Sequence, residues 1–242
     1  MTRKKTKSSS DFSIKALDKF KLNNISFTEK QKAFYSLASD EKTKIVFVSG
    51  PAGSSKTFIS VYSALSFLSK NSDLDLIYIR TIIESADKGL GALPGDLNEK
   101  FNPYMIPLSE KLAEILPKTN TSKTDLVKDG RIEAMPINFL RGSSWNNKVI
   151  IMDEAQNASF KELTTLITRI GENCKLFICG DLMQSDINGR SGFGEMINLF
   201  NDDESSENGI ETFRFNCSDI KRSEILKFII KKLTRKNKNE TK

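Results

Sequence analysis

One stretch constrains this chain more than any other. Ile45-Val46-Phe47-Val48-Ser49 is a β-branched and aromatic run, and Gly50-Pro51-Ala52-Gly53-Ser54-Ser55-Lys56-Thr57 follows it directly. Behind that turn Phe58, Ile59, Val61, Tyr62, Leu65 and Leu68 recur at helical spacing. Strand, glycine-bearing turn and helix form the context in which a loop wraps phosphate. Successive backbone N–H groups make a concavity for phosphate oxygens, and the helix start adds its partial positive charge. Lys56 then reaches the outer phosphates of a nucleoside triphosphate, and the Thr57 hydroxyl takes a place on Mg²⁺. Positions 50–58, with Phe58 opening the helix, are the expected nucleotide-binding segment.

The loop departs from the usual pattern at one place. G-x-x-x-x-G-K-[ST] asks for glycine where this chain has Ser55. Serine still offers its N–H but is restricted in φ. A plain strand-to-helix turn without a ligand is the competing reading of the loop alone.

At 242 residues the chain is long enough for one large α/β domain with tails. Three cysteines (Cys174, Cys179, Cys217), with no C-x-x-C pair, argue against structural zinc and a disulfide framework. The absence of histidine removes Ser-His and Cys-His nucleophile pairs and histidine-based metal sites. No apolar run reaches the roughly 18 residues of a membrane helix, and the polar, basic segment Met1–Ser10 does not read as a secretory signal. A reducing, cytoplasmic setting is expected, with no membrane partner. Charge is uneven: residues 1–24 carry +5 and residues 225–242 carry +6, so a total of +6 leaves the body at −5. Basic ends on an acidic body suit contact with nucleic acid; a solvated tail is the equally weighted alternative, because neither end interleaves aromatics with its charges.

The expected division is a basic arm over 1–24, one domain over 25–235 and a basic tail over 236–242. Thr28 and Gln31 have capping-box spacing ahead of a helix. Strands are predicted at about 44–49, 76–80, 131–136, 149–152, 175–179 and 210–216. Helices are predicted after the phosphate loop to about residue 69, over 97–116 with breaks at Pro103 and Pro107, over 159–170 and over 218–233. A glycine-rich loop lies over 85–97. This alternation predicts an α/β fold with a doubly wound, mostly parallel sheet, whose ligands bind beyond the carboxyl ends of the strands.

Chemistry gathers at those ends. Val149-Ile150-Ile151-Met152 delivers Asp153-Glu154, and Lys175-Leu176-Phe177-Ile178-Cys179 delivers Gly180-Asp181-Leu182-Met183-Gln184. Two acids ending an apolar strand are costly to bury without a partner or metal. Asp153 suits Mg²⁺, held through water; Glu154 suits the orientation or deprotonation of an attacking water. Gln184 is placed to sense the γ-phosphate. The reaction these imply is hydrolysis of a nucleoside triphosphate by phosphoryl transfer to water.

The segments Gly50-Pro51-Ala52-Gly53, Leu90-Gly91-Ala92-Leu93-Pro94-Gly95-Asp96-Leu97, Phe139-Leu140-Arg141-Gly142, Asp153-Glu154-Ala155-Gln156-Asn157 and Thr168-Arg169-Ile170-Gly171 carry a resemblance. The chain resembles the PhoH family of P-loop ATPases, related to superfamily 1 helicases, over roughly residues 27–235. The resemblance implies a single RecA-like domain, ATP and Mg²⁺ as cofactors, and a single-stranded nucleic acid partner, RNA favoured over DNA. By the same resemblance Gln31 reads adenine, Arg222 touches the γ-phosphate, and Arg141 and Arg169 match further family arginines. Ser55 and Met183 depart from the family pattern. The RNA-binding or nuclease domain that some members carry is expected to be lacking.

A lone RecA-like domain has half of the cleft that a two-domain helicase closes on ATP. A homo-oligomeric ring, a hexamer by preference, is therefore expected, with Arg169 or Arg141 supplied to a neighbour and Arg222 acting within its own subunit. A monomer that completes its own site with Arg222 is the alternative. Two other functions compete: a nucleotide-binding switch of weak turnover, and a small-molecule kinase, which would need an acceptor site and an arginine-bearing lid that the sequence does not offer.

Overall fold

The computed structural model describes residues 20–81, 97–117, 126–140, 144–184 and 191–220, with single positions at 225, 228, 229 and 232. The basic ends, the glycine-rich loop, Arg141 and Arg222 lie outside the described residues, as does most of the last predicted helix.

Six strands form one sheet in the order β3-β2-β4-β5-β1-β6. They are β1 (Ile45–Ser49), β2 (Asp75–Arg80), β3 (Ile132–Pro136), β4 (Lys148–Asp153), β5 (Lys175–Gly180) and β6 (Ile210–Arg214). Every pairing is parallel. The apolar runs of β1, β2, β4 and β5 are buried on both faces, as a covered parallel sheet requires, while the edge strands β3 and β6 are partly exposed. β1 and β5 are buried along their whole length.

Two separate cores account for that burial. On one face α1 (Glu29–Ser39), α2 (Lys56–Lys70) and α3 (Leu97–Ile115) cover side chains such as Val46, Val48, Ile151 and Phe177. On the other, α4 (Phe160–Ile167) and α5 (Phe193–Leu199) cover Phe47, Ile150, Met152 and Ile178. Helices on both faces of a parallel sheet make this the expected doubly wound α/β architecture, of RecA-like kind. β5 lies between the strand that feeds the phosphate loop and the strand that delivers the acids, so three strand ends converge on one edge.

Local chemistry fixes the elements. α1 starts with the capping box read from sequence: Gln31 N donates to Thr28 Oγ1 at 3.3 Å and Thr28 N to Gln31 Oε1 at 3.0 Å. α4 has a second, between Ser159 and Glu162. The C-terminal end of α2 is held by Arg131, whose Nη2 donates to the carbonyls of Leu68, Asn71 and Leu74 at 3.0–3.1 Å.

Two expectations need correction, and two helices were not anticipated. α3 runs unbroken through Pro103 and Pro107. Each proline removes a helix donor, but Leu108, Leu112 and Ile115 are fully buried on one stripe, and that burial outweighs the lost bonds. The helix over 159–170 stops at Ile167, because the chain turns so that Arg169 O accepts from Trp145 N at 2.8 Å. Two short helices, α5 and α6 (Asp203–Glu207), stand where the sequence suggested no element; at seven and five residues they are too short to show a period.

Candidate functional site

The phosphate loop closes around its own lysine. Lys56 Nζ donates to Gly50 O at 2.6 Å and Pro51 O at 3.0 Å. Ser54, fully buried, donates its hydroxyl to Pro51 O at 2.8 Å. Gly50 is needed for space: a Cβ there would stand 2.6 Å from Phe215 Cβ. Ser55 takes the left-handed conformation, φ 68° and ψ 20°, immediately before α2. The serine thus adopts the backbone that the usual glycine would supply. Burial lowers the Lys56 ammonium below the ordinary lysine value, against the attraction of Asp181, Asp153 and Glu154. A half-buried cation with only neutral carbonyls as hydrogen-bond partners fits an anionic ligand such as a triphosphate.

At the end of β4 the acids are engaged. Thr57 donates its hydroxyl to Asp153 Oδ1 at 2.6 Å, and the buried Tyr78 hydroxyl makes a short bond to Asp153 Oδ2. Burial and the neighbouring Asp153 push the Tyr78 hydroxyl far above its ordinary value, so it remains a donor. Glu154 sits at φ 57°, also left-handed, and donates its N–H to Asp153 Oδ1 at 3.2 Å. Its carboxylate takes Gln156 Nε2 at 2.7 Å on one oxygen and Arg80 Nη2 at 3.4 Å on the other. From β5, Asp181 accepts Ala52 N of the loop at 3.2 Å and donates its own N–H to Gln156 Oε1 at 2.9 Å.

These elements surround a cavity of about 590 Å³. Gln31, Ala52, Gly53, Ser55, Lys56, Thr57, Phe58, Asp153, Glu154 and Gln184 line it. Gly50, Pro51 and Ser54 belong to the same loop but are not among the residues that line the cavity. Gln31 Oε1 accepts Thr28 N in the capping box while the residue lines the cavity. Arg169 lies elsewhere, in a second groove with Phe160, Lys161 and Thr164. Sequence reading missed Ile25, Phe27, Glu110, Lys111 and Glu114, which complete the cavity wall, and the linking role of Gln156. The α3 residues carry no motif; only its amphipathic pattern hinted at a face. Gln156 stood inside the acidic run, two residues beyond Glu154.

Thr57 and Asp153 are suited to a Mg²⁺ that keeps waters and takes its other oxygens from phosphates. Among the described residues no group of three or more His, Cys, Asp or Glu side chains could form an all-protein metal cage. Burial pushes the Cys179 thiol up to about 12, and it contacts Ser60 at 3.3 Å as an inert part of the cavity floor.

A family model described as PhoH-like protein matches residues 25–234. The chain belongs to the PhoH family. It is 33% identical over 192 residues to a PhoH-like protein of Synechocystis sp., covering 78% of this chain and 56% of that one. It is 33% identical over 189 residues to Protein PhoH of Escherichia coli, covering 77% and 52%. The chain thus spans about half the length of these curated relatives. Among solved structures, the Pif1 helicase from Candida albicans gives a TM-score of 0.40 at 13% identity, covering 80% of this chain and 40% of that one. A Bacteroides sp. Pif1 in complex with ADP-AlF4 gives 0.36 at 17%, covering 80% and 42%. The family match and the chain's own parallel sheet make it a PhoH-family chain of RecA-like α/β fold. No helix among the described residues is long and apolar enough to cross a membrane.

Proposed function

We propose that the chain hydrolyses ATP with Mg²⁺ and couples hydrolysis to single-stranded nucleic acid, RNA in preference to DNA, in a cytoplasmic setting. The observation that carries the catalytic part is the Thr57–Asp153 hydrogen bond of 2.6 Å beside Glu154, across the cavity edge from Lys56. Bound Mg²⁺ would neutralise charge on the β- and γ-phosphates. Lys56 exchanges its two loop carbonyls for phosphate oxygens. Glu154 orients a water and takes its proton on a carboxylate oxygen. Gln184 contacts the terminal phosphate from the β5 side, and the Gln31 amide favours adenine. The basic ends of the sequence supply phosphodiester contacts through counterion release. A homo-oligomeric ring, hexameric by preference, belongs to the same reading, because one domain forms half a closing cleft; Arg169 and Arg141 are the candidates for a contribution in trans and Arg222 for one in cis.

Steady-state ATPase assays test this directly, with and without Mg²⁺ and with single-stranded RNA, single-stranded DNA or neither. Hydrolysis that needs Mg²⁺, rises with RNA and stops in Glu154→Gln while ATP still binds is the expected result. A specific observation favours a second reading, an ATP-binding switch of weak turnover: both oxygens of Glu154 are already held by protein groups. Wild-type and Glu154→Gln proteins that bind ATP equally and turn over equally slowly would establish that reading instead.

A further inference from the structure

Gln156 is only 3% exposed and spends both ends of its amide on the site. Its Nε2 donates to Glu154 Oε2 at 2.7 Å, and its Oε1 accepts from Asp181 N at 2.9 Å. Asp181 in turn accepts the loop amide of Ala52 at 3.2 Å. A continuous path of hydrogen bonds thus runs from the phosphate loop, through the turn after β5, to the carboxylate at the end of β4. The left-handed backbone at Glu154 turns the chain so that the side chain two residues on can reach back to it.

We propose that Gln156 is a positioning residue for Glu154, setting the direction of its carboxylate according to the state of the phosphate loop and the Asp181 turn. The inference rests on the reading of Glu154 as the base. A primary amide is suited to the task because one group donates to a carboxylate while the other accepts from a backbone N–H. A ligand that draws Ala52 N toward phosphate alters the acceptor demand on Asp181, and Gln156 passes that change to Glu154. A side chain that merely satisfied buried partners would affect stability without acting through Glu154 in particular.

Gln156→Leu removes both bonds at similar volume. Gln156→Glu keeps an acceptor for Asp181 N but puts a carboxylate oxygen against Glu154 Oε2. Both should lower kcat about 10²-fold, the scale of an ångström-sized misplacement, with KM for ATP and binding of a fluorescent ATP analogue within about threefold of wild type. The deciding measurement is a double-mutant cycle. Gln156→Leu added to Glu154→Gln should slow hydrolysis no further, since independent residues would multiply. A kcat within about threefold of wild type, a KM effect without a kcat effect, or full multiplication in the double variant would overturn the proposal. If Gln156→Leu does not fold, Gln156→Glu decides by the same readouts. Glu154→Gln turning over at the wild-type rate would remove the base itself and the catalytic reading with it. A slow Glu154→Gln beside fast Gln156 variants removes only this inference.

Discussion

Ser55→Gly is the most direct test of how this chain builds its phosphate loop. Ser55 sits at φ 68° and ψ 20° and makes no side-chain capping bond. An L-residue in that region costs about 1–2 kcal/mol relative to the right-handed form. Glycine removes the cost but gives up about 0.5–1 kcal/mol more chain entropy on folding. The difference favours glycine by about 0.5–1 kcal/mol, because no contact of the hydroxyl offsets it. For a chain of this size that corresponds to a rise in Tm of about 1–4 °C. Ser55→Ala keeps the strain and should stay within about 0.5 kcal/mol of wild type. Thermal unfolding followed by circular dichroism, in the absence of nucleotide, gives both numbers. ATPase of Ser55→Gly should equal or exceed wild type, since Lys56 and Thr57 keep their places. A fall in Tm for Ser55→Gly, or a loss above about 1 kcal/mol for Ser55→Ala, would show that the hydroxyl makes a stabilising contact and would refute the strain argument.

Lys56→Ala should abolish hydrolysis, because the charge delivered to the outer phosphates is lost; unchanged turnover in a radiolabelled-phosphate assay would remove the phosphate-loop assignment. Tyr78→Phe deletes a donor to Asp153 Oδ2 in a fully buried setting. It should destabilise by about 1.5–3 kcal/mol and raise the Mg²⁺ concentration needed for half-maximal activity, read by urea titration and a Mg²⁺ series. Lys175 gives a pH prediction: burial pushes its ammonium down to about 8, against the pull of Asp40 and Glu41. The unfolded chain then holds more protons between about pH 8 and its unfolded pKa of about 10.4, so stability rises with pH across that window. The gain should fall below about 3 kcal/mol, since Lys175 Nζ donates to Ala38 O and Asp40 O and those bonds favour the charged form. Lys175→Met should flatten the dependence in urea titrations from pH 7.5 to 10; an unchanged slope would assign it to another group.

What the sequence revealed tracks what is local. The strands were legible because a parallel sheet covered on both faces needs continuous apolar runs, and β1, β4 and β5 are such runs. The capping box of α1 was legible because both partners lie within four residues. The ends of α3 were readable and its continuity was not: proline argues locally for a break, and only burial of Leu108, Leu112 and Ile115 outweighs it. In the site, the lysine, threonine and paired acids announce themselves by spacing. Tyr78 and Arg80 do not, because their meaning comes from β2 lying beside β4, a pairing across more than 70 residues. Gln156 was in plain view within the acidic run, but its partners are set by the position of Asp181, which no local pattern encodes.

The distribution of backbone strain ties these observations together. Four non-glycine residues among those described have positive φ: Ser55, Asn147, Glu154 and Asn173. Asparagine is the residue that best tolerates this region, and Asn173 Nδ2 bonds Asn147 Oδ1 at 2.7 Å, a local pair at a turn remote from the cavity. Serine and glutamate are not favoured there, and both line the cavity. Such conformations persist only where the surroundings over-determine them. At Ser55 the surroundings are the lysine folded onto Gly50 and Pro51 carbonyls and the start of α2. At Glu154 they are the bonds from Gln156, Arg80 and Thr81, the last to its carbonyl at 3.1 Å. The strain therefore sits at the two turns that line the proposed nucleotide cavity, and each is held by bonds that a phosphate or a water could replace. A chain built only for stability would carry glycine at both positions. On the proposed reading of Glu154 as the base, glutamate at the second keeps a carboxylate beside the attacking water, at a cost of about 1–3 kcal/mol in backbone conformation, with the bonds from Gln156 and Arg80 fixing its direction.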